Sequence, residues 1–112
     1  MASAKSATAA ARWGGLTADE VGRIIRRHWN EIKYCYEKEL TRNPNLAGKI
    51  VTSFTIGGTG HVQDCDVAET SLNDPTVEDC VVKIIKRIQF PAPKGGGIVL
   101  VSYPFIFQSS GQ

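Results

Sequence analysis

The stretch that most constrains the fold is the C-terminal run RIQFPAPKGGGIVLVSYPFIFQ, residues 87–108. It starts as the end of a helix, is broken by Pro91 and Pro93, and turns through three glycines. β-Branched and aromatic residues over 98–107 then predict a strand. Pro104 lies inside that strand, and because proline has no N–H, such strands lie at the edge of a sheet. The chain is therefore predicted to end in a long hydrophobic edge strand, where a partner or a second copy can add a strand.

Pro104 also predicts which residues of this strand face outward. Backbone groups of alternate residues in an antiparallel strand point to opposite sides, and the side without an N–H at Pro104 is the one that can face away from the sheet. Odd-numbered residues over 99–107 are predicted to bond to the strand that begins at Ile50. Pairing with a partner is predicted to be stronger over 98–102, because a partner loses one hydrogen bond opposite Pro104. The residues predicted to offer backbone groups to a partner are Ile98, Leu100, Ser102, Pro104 and Ile106.

Length and charge narrow the class of protein. At 112 residues the chain is predicted to form one folded domain over residues 15–108, with a disordered lead or linker over 1–14 and a disordered tail over 109–112. A net charge of +2 with dispersed basic residues does not favour nucleic acid or an anionic membrane surface. The first 15 residues lack the apolar core of a signal peptide, so an export or anchoring sequence is expected upstream if the domain works outside the cytoplasm.

The remaining elements follow from local signals. A capping box at Thr17 and Glu20 begins a predicted long amphipathic helix that ends before Pro44. Alternating residues from Ile50 to Ile56 predict a strand with Phe54 on its inward face, and the GGTG sequence predicts a hairpin turn.

The return strand is predicted over 61–69, with a β-bulge because Val62 is out of phase with Cys65. Asp74 and Pro75 then predict the start of a second helix. The order helix, strand, strand, helix, strand predicts an α+β fold. Its simplest packing is a three-stranded antiparallel sheet with both helices on one face.

The sequence resembles the TonB C-terminal domain family over residues 15–107. The similarity is carried by GKIVTSFTIGGTGHVQDCDV at 48–67, RIQFPAP at 87–93 and GGGIVLVSYPFIF at 95–107. Ile88 stands where the family usually has tryptophan. The motifs YCYE and EDCV resemble the AgmX-type branch, found in gliding-motility and related envelope proteins.

This resemblance implies a periplasmic, non-enzymatic domain without a cofactor, at the end of an inner-membrane-anchored chain. Such a domain binds a segment of an outer-membrane receptor or motility component by strand addition to its last strand. It then transmits force from a proton-driven motor, for transport or for gliding motility. Contact with the membrane is implied only through the upstream anchor, and no contact with nucleic acid is implied.

The three cysteines allow one intramolecular disulfide at most. Cys35 and Cys80 lie on the apolar faces of the two predicted helices, which can meet if both helices pack on one sheet face. The periplasmic location that the resemblance implies favours a Cys35–Cys80 disulfide, and two small buried thiols are the alternative. Cys65 is expected to stay free. A zinc site that uses the cysteines with His28 or His61 lacks the usual ligand spacing.

Two other functions remain open at the level of sequence. A structural dimerisation domain that pairs its last strand with a second copy would use the same edge. A small Cys/His metal or thiol enzyme is a further alternative, but no spacing of nucleophile and base supports it. His28 is predicted to be a packing residue and His61 to be exposed. Asp64 and Asp66 share a strand face, which predicts a solvated surface or, alternatively, a cation site. Trp13, Trp29 and Tyr34 lie off the apolar stripe and are predicted either to contact a partner or to cover the core.

Overall fold

The structure, a computed structural model, describes residues 2–6, 10–12 and 15–109, and it is of the α+β class. Among these residues, none of the helices combines the length and the apolar character needed to cross a membrane. A short 3₁₀ turn, Lys94–Gly96, precedes the last strand. In chain order the elements are β1 (Ala2–Ser6), β2 (Ala10–Arg12), α1 (Ala18–Arg27), α2 (Trp29–Leu40), β3 (Gly48–Ile56), β4 (Val62–Thr70), α3 (Pro75–Arg87) and β5 (Val99–Ser109).

The three long strands form the antiparallel sheet that the sequence predicts, in the order β5-β3-β4. β3 is central, and Phe54 pairs with Val101 of β5 on one side and with Cys65 of β4 on the other. The β3–β5 pairing runs without a register shift from Gly48↔Phe107 to Ile56↔Val99.

Two further strands lie where the sequence predicts a disordered lead. β1 pairs antiparallel with residues 105–109 of β5, and β2 pairs antiparallel with residues 100–102. β5 is therefore not the outermost strand, contrary to the prediction. Alanine and serine are poor strand formers, so the backbone groups of β5, rather than local preference, account for these two strands. Of the predicted tail, Ser109 belongs to β5, and residues 110–112 lie outside the described residues.

One face of the sheet carries the core. The inward residues of β3, including Ile50 and Phe54, are buried, and so are the odd-numbered residues of β5 from Val99 to Phe107. The helices cover this face through buried residues such as Ile25 and Ile85. Helices on a single face are as predicted, and the opposite face is open to solvent.

The predicted long first helix is two helices, and this is a correction. His28 separates α1 from α2 with φ −102° and ψ 10°, outside helical geometry. Its backbone N–H donates to the carbonyl oxygen of Ile25, three residues back, which tightens the turn at this point. Its ring Nδ1 lies 2.9 Å from a carboxylate oxygen of Glu31. His28 is therefore half-exposed at a bend, rather than packed on a continuous buried stripe.

Other local predictions are confirmed. Thr17 and Glu20 form the capping box, and Asp74 accepts a hydrogen bond from the N–H of Val77 at the start of α3. The predicted bulge of β4 is at Gln63, and Ala68 forms a second one that the sequence analysis does not predict.

The hairpin turn is closed by a glycine that no other residue can replace. Gly60 has φ +90°, and a Cβ there would lie 2.0 Å from the carbonyl oxygen of Phe90. Its own carbonyl accepts a hydrogen bond from the N–H of Phe90. The segment that follows α3 is thereby fixed against the β3–β4 hairpin.

Candidate functional site: the outer side of β5

The candidate site is the outer side of β5, the side that faces away from β3. The Thr52 hydroxyl donates a 3.0 Å hydrogen bond to the carbonyl oxygen of Tyr103, so this carbonyl faces β3. Pro104, with no N–H, pairs with Val51 and fits a position that does not bond to β3. By alternation, odd-numbered residues of β5 bond to β3 and even-numbered residues direct their backbone groups outward. The predicted pairing of β5 with the strand at Ile50 is confirmed.

Three of the five predicted site residues pair with the chain's own N-terminal strands. Leu100 lies opposite Arg12, Ser102 opposite Ala10, and Ile106 opposite Lys5. The outer side of β5 therefore accepts strand addition here, but the added strand comes from the same chain.

The other two predicted site residues are placed differently. Ile98 precedes β5, which begins at Val99, and 45% of its surface is exposed. Among the described residues neither β1 nor β2 pairs with Pro104, which lies between the two paired stretches with Tyr103.

The two paired stretches are out of register with each other. From Ala2 to Ala10 is eight residues, while from their partners Ser109 to Ser102 is seven. The shift coincides with Pro104, the one residue of the strand that cannot donate a hydrogen bond.

Aromatic packing supports β5 from the helical face. Trp29, at the start of α2, stacks on Phe105 and Phe107 with ring centroids 6.4 and 6.2 Å apart. Tyr36 packs on Phe107 at 5.1 Å. Of the two roles predicted for Trp29, covering the core is the one observed. These aromatic rings pack against the inward-facing side chains of β5.

Tyr34 is different from Trp29 because it is 59% exposed, with the ammonium of Lys38 lying 5.3 Å from its ring centroid. Trp13 lies outside the described residues.

The open face beside the site is apolar near β5 and acidic near β4. Leu100 is 38% exposed, and Pro104 and Ile106 are half-buried on that face. Across β3, Asp64 and Asp66 project from β4 and are exposed. In the described part of the chain no three His, Cys, Asp or Glu residues come close enough to hold a metal ion.

The cysteines are placed as predicted. Cys35 and Cys80 form a disulfide that joins α2 to α3, with Cα atoms 5.8 Å apart. Cys65 is free and buried, and burial raises its pKa to about 11. A neutral thiol is a poor nucleophile, so Cys65 is not activated for covalent catalysis.

Neither histidine is placed as a general base for Cys65. His61 is exposed and forms an isolated bridge with Gln89. His28 and Glu31 line an open cleft of about 230 Å³ with Ile84 and Arg87, which contains no cysteine.

Comparison of this chain with family models, with curated proteins and with solved structures gives no match. What the domain does is therefore inferred from the geometry of β5.

Proposed function

We propose that this domain is a protein-binding module that captures an extended segment of an envelope protein by antiparallel strand addition to the outer side of β5. One observation carries the proposal: β5 already pairs on that side with two short strands of its own chain. Strand addition uses mainly backbone hydrogen bonds, so a segment of different sequence can take the same place.

The β5 side is better suited to a partner than the β4 side. β5 is paired with β3 over nine consecutive residues without a bulge, so its outer backbone groups are evenly presented. β4 is interrupted at Gln63 and Ala68 and carries exposed carboxylates, features that discourage strand pairing. The apolar surface at Leu100 and Ile106 offers contacts for alternate side chains of a bound strand.

The resemblance to TonB C-terminal domains extends the proposal to location and role. The domain is proposed to work in the periplasm, carried by an inner-membrane-anchored chain, and to transmit force from a proton-driven motor to its partner. The Cys35–Cys80 disulfide supports an oxidising compartment, where such bonds form and persist. No cofactor and no catalytic residue take part in this function.

Site-specific photocrosslinking tests the proposal. A photoreactive residue at Ser102 should crosslink to an envelope protein, and mass mapping should place the crosslink in one extended segment. A photoreactive residue at Gln63, on the β4 side, is the matched control. The crosslink should be lost when Leu100→Pro removes an outward N–H. Equal crosslinking at both positions, or none at Ser102, would contradict strand capture by β5.

A second candidate uses the same side of β5 for dimerisation. The segment that pairs with β5 belongs to this chain, so a second copy is able to supply the same strands. Sedimentation velocity distinguishes the two functions, because dimerisation predicts a concentration-dependent dimer without any envelope protein.

A further inference from the structure

We infer that β1 and β2 form a built-in competitor that occupies the outer side of β5 until a partner strand displaces it. This inference rests on the proposed function and adds the regulation of its site. The partner class that fits is an antiparallel extended segment that pairs in two stretches, one on each side of Pro104.

The chain's own strands and a partner strand cannot occupy the outer side of β5 at the same time. Leu100, Ser102 and Ile106 direct their backbone groups outward, and each of them lies opposite a residue of β1 or β2. A strand has one outer row of donors and acceptors, so a partner strand needs the same groups.

The short length and the composition of β1 and β2 suit them to leave β5. β1 forms five residue pairs and β2 only three, and the two stretches are separated at Tyr103 and Pro104. Their sequences, ASAKS and AAR, contain none of the β-branched or aromatic residues that favour strands. Their pairing with β5 uses backbone groups, which a longer or more apolar strand can also engage.

When displaced, β1 and β2 stay close to the outer side of β5. Only residues 13–17 separate β2 from α1, and the carbonyl oxygen of Gly15 accepts a 3.1 Å hydrogen bond from the N–H of Lys94. Gly15 has φ +89°, and a Cβ there would lie 2.8 Å from the Cβ of Pro93, so a glycine is needed at this anchor. A short anchored tether gives a local concentration of about millimolar, and the strands rebind when the partner leaves.

The consequence is a lowered apparent affinity. A partner binds only the fraction of molecules whose β5 is open, so its apparent Kd rises by the inverse of that fraction. If β5 is open in one molecule in ten, releasing β1 and β2 should tighten partner binding about 10-fold.

Paired proline variants test this without removing any of the chain. Opposite the outward residues Ser102 and Gln108 lie Ala10 and Ser3, so these two donate toward β5. Ala11 and Ala4 lie opposite inward residues, and their N–H groups point away. Ser3→Pro/Ala10→Pro should therefore release the strands, while Ala4→Pro/Ala11→Pro adds the same two prolines without removing a bond.

Two readouts on the oxidised chain decide the outcome. Amide exchange at Leu100 and Ser102 should be slow in the wild type and in the control, and fast in Ser3→Pro/Ala10→Pro, with Val101 slow in all three. A labelled peptide of residues 1–12 should bind Ser3→Pro/Ala10→Pro at least about 10-fold more tightly than the other two. Fast exchange at Leu100 and Ser102 in the wild type, or peptide binding that does not differ among the three proteins, would overturn the inference.

The same variants separate this inference from the proposed function. If exchange and peptide binding behave as expected but Ser102 gives no crosslink to an envelope protein, strand capture from a partner is wrong and the self-pairing stands. If Ser102 crosslinks but exchange at Leu100 is fast in the wild type, the competitor is wrong and the proposed function stands.

Discussion

β4 and β5 are the two outer strands of the three-stranded sheet, and they are protected against unwanted strand pairing in different ways. β4 has no strand paired on its outer side among the described residues, and it is protected by bulges at Gln63 and Ala68 and by exposed carboxylates at Asp64 and Asp66. β5 pairs with β3 without a bulge, and its outer side is covered by β1 and β2. An unprotected sheet edge invites association with other chains, and both features are of the kind that discourages it.

The two devices differ in kind. Bulges and charges on β4 are parts of the strand itself, whereas β5 is covered by two short strands that pair with it over five and three residues. If β1 and β2 leave as inferred above, β5 is the edge that becomes available to a partner. Four experiments test this difference between β4 and β5.

The largest effect on stability should come from a proline introduced into β5, and its size should depend on which of two neighbouring residues is replaced. Val101→Pro removes an N–H that faces β3 and a buried side chain, which should cost about 4 kcal/mol or more and unfold much of the protein. Leu100→Pro removes an outward N–H and a side chain that is 38% exposed, and it should cost only about 1 kcal/mol. Urea unfolding measures both. Similar losses for the two variants would mean that the assignment of inward and outward residues is wrong.

The next effect concerns the disulfide, which ties the helix beneath β5 to the helix beneath β4. Reducing Cys35–Cys80 should cost about 3–4 kcal/mol, because the bond closes a long loop in the unfolded chain. Urea unfolding with and without reductant measures the loss. Cys35→Ala/Cys80→Ala is the control, since its stability should be insensitive to reductant. An equal loss of stability when reductant is added to that control would show that the effect does not come from the Cys35–Cys80 disulfide.

A smaller effect should appear at alkaline pH on the β4 side. Burial raises the pKa of Cys65 to about 11, so between pH 9 and 11 the unfolded chain loses a proton that the folded chain keeps. The free energy of unfolding should therefore fall as the pH rises, by about 1 kcal/mol at pH 10. Thermal unfolding of the wild type and of Cys65→Ala checks this. Burial also raises the pKa of Tyr36, but that contribution is common to both proteins and cancels. If the stability of the wild type and that of Cys65→Ala depend on pH in the same way, the expectation is wrong.

The smallest effect on stability should come from neutralising the β4 side. Asp64→Asn/Asp66→Asn should change the free energy of unfolding by less than about 0.5 kcal/mol, because both side chains are exposed. Self-association should nevertheless increase, since these charges protect the edge. Asp19→Asn/Asp79→Asn, with the same change of charge on helices, is the control in sedimentation velocity. Equal association of the two variants would show that the edge charges are not protective.

Much of the fold was predictable because local chemistry and tertiary structure agree. The capping residues Thr17 and Asp74, the alternation through Phe54 and the phase slip at Val62 each indicate their element without distant information. The bend at His28 was not predictable, because neither a proline nor a glycine marks it. The bulge at Ala68 leaves no clear phase slip in its strand.

The candidate site was predictable only in part. Pro104 indicated which side of β5 faces outward, because a missing N–H is visible in the sequence. The strands that occupy this side were missed, since residues 2–6 and 10–12 have no strand preference of their own and form strands only against a ready edge. Ile98 was assigned to the strand by its type, although β5 begins one residue later.

The antiparallel direction of β1 decides how its pairing with β5 responds to tension. Ala2 lies opposite Ser109, so β1 begins beside the end of β5. Ladder hydrogen bonds lie across the strands, so a pull on Ala2 along the axis of β1 loads all five pairs in shear. A sideways pull at the same atom peels the pairs one after another, beginning at Ser109. The pairing of β1 with β5 should therefore resist a pull along the strand and open under a pull across it.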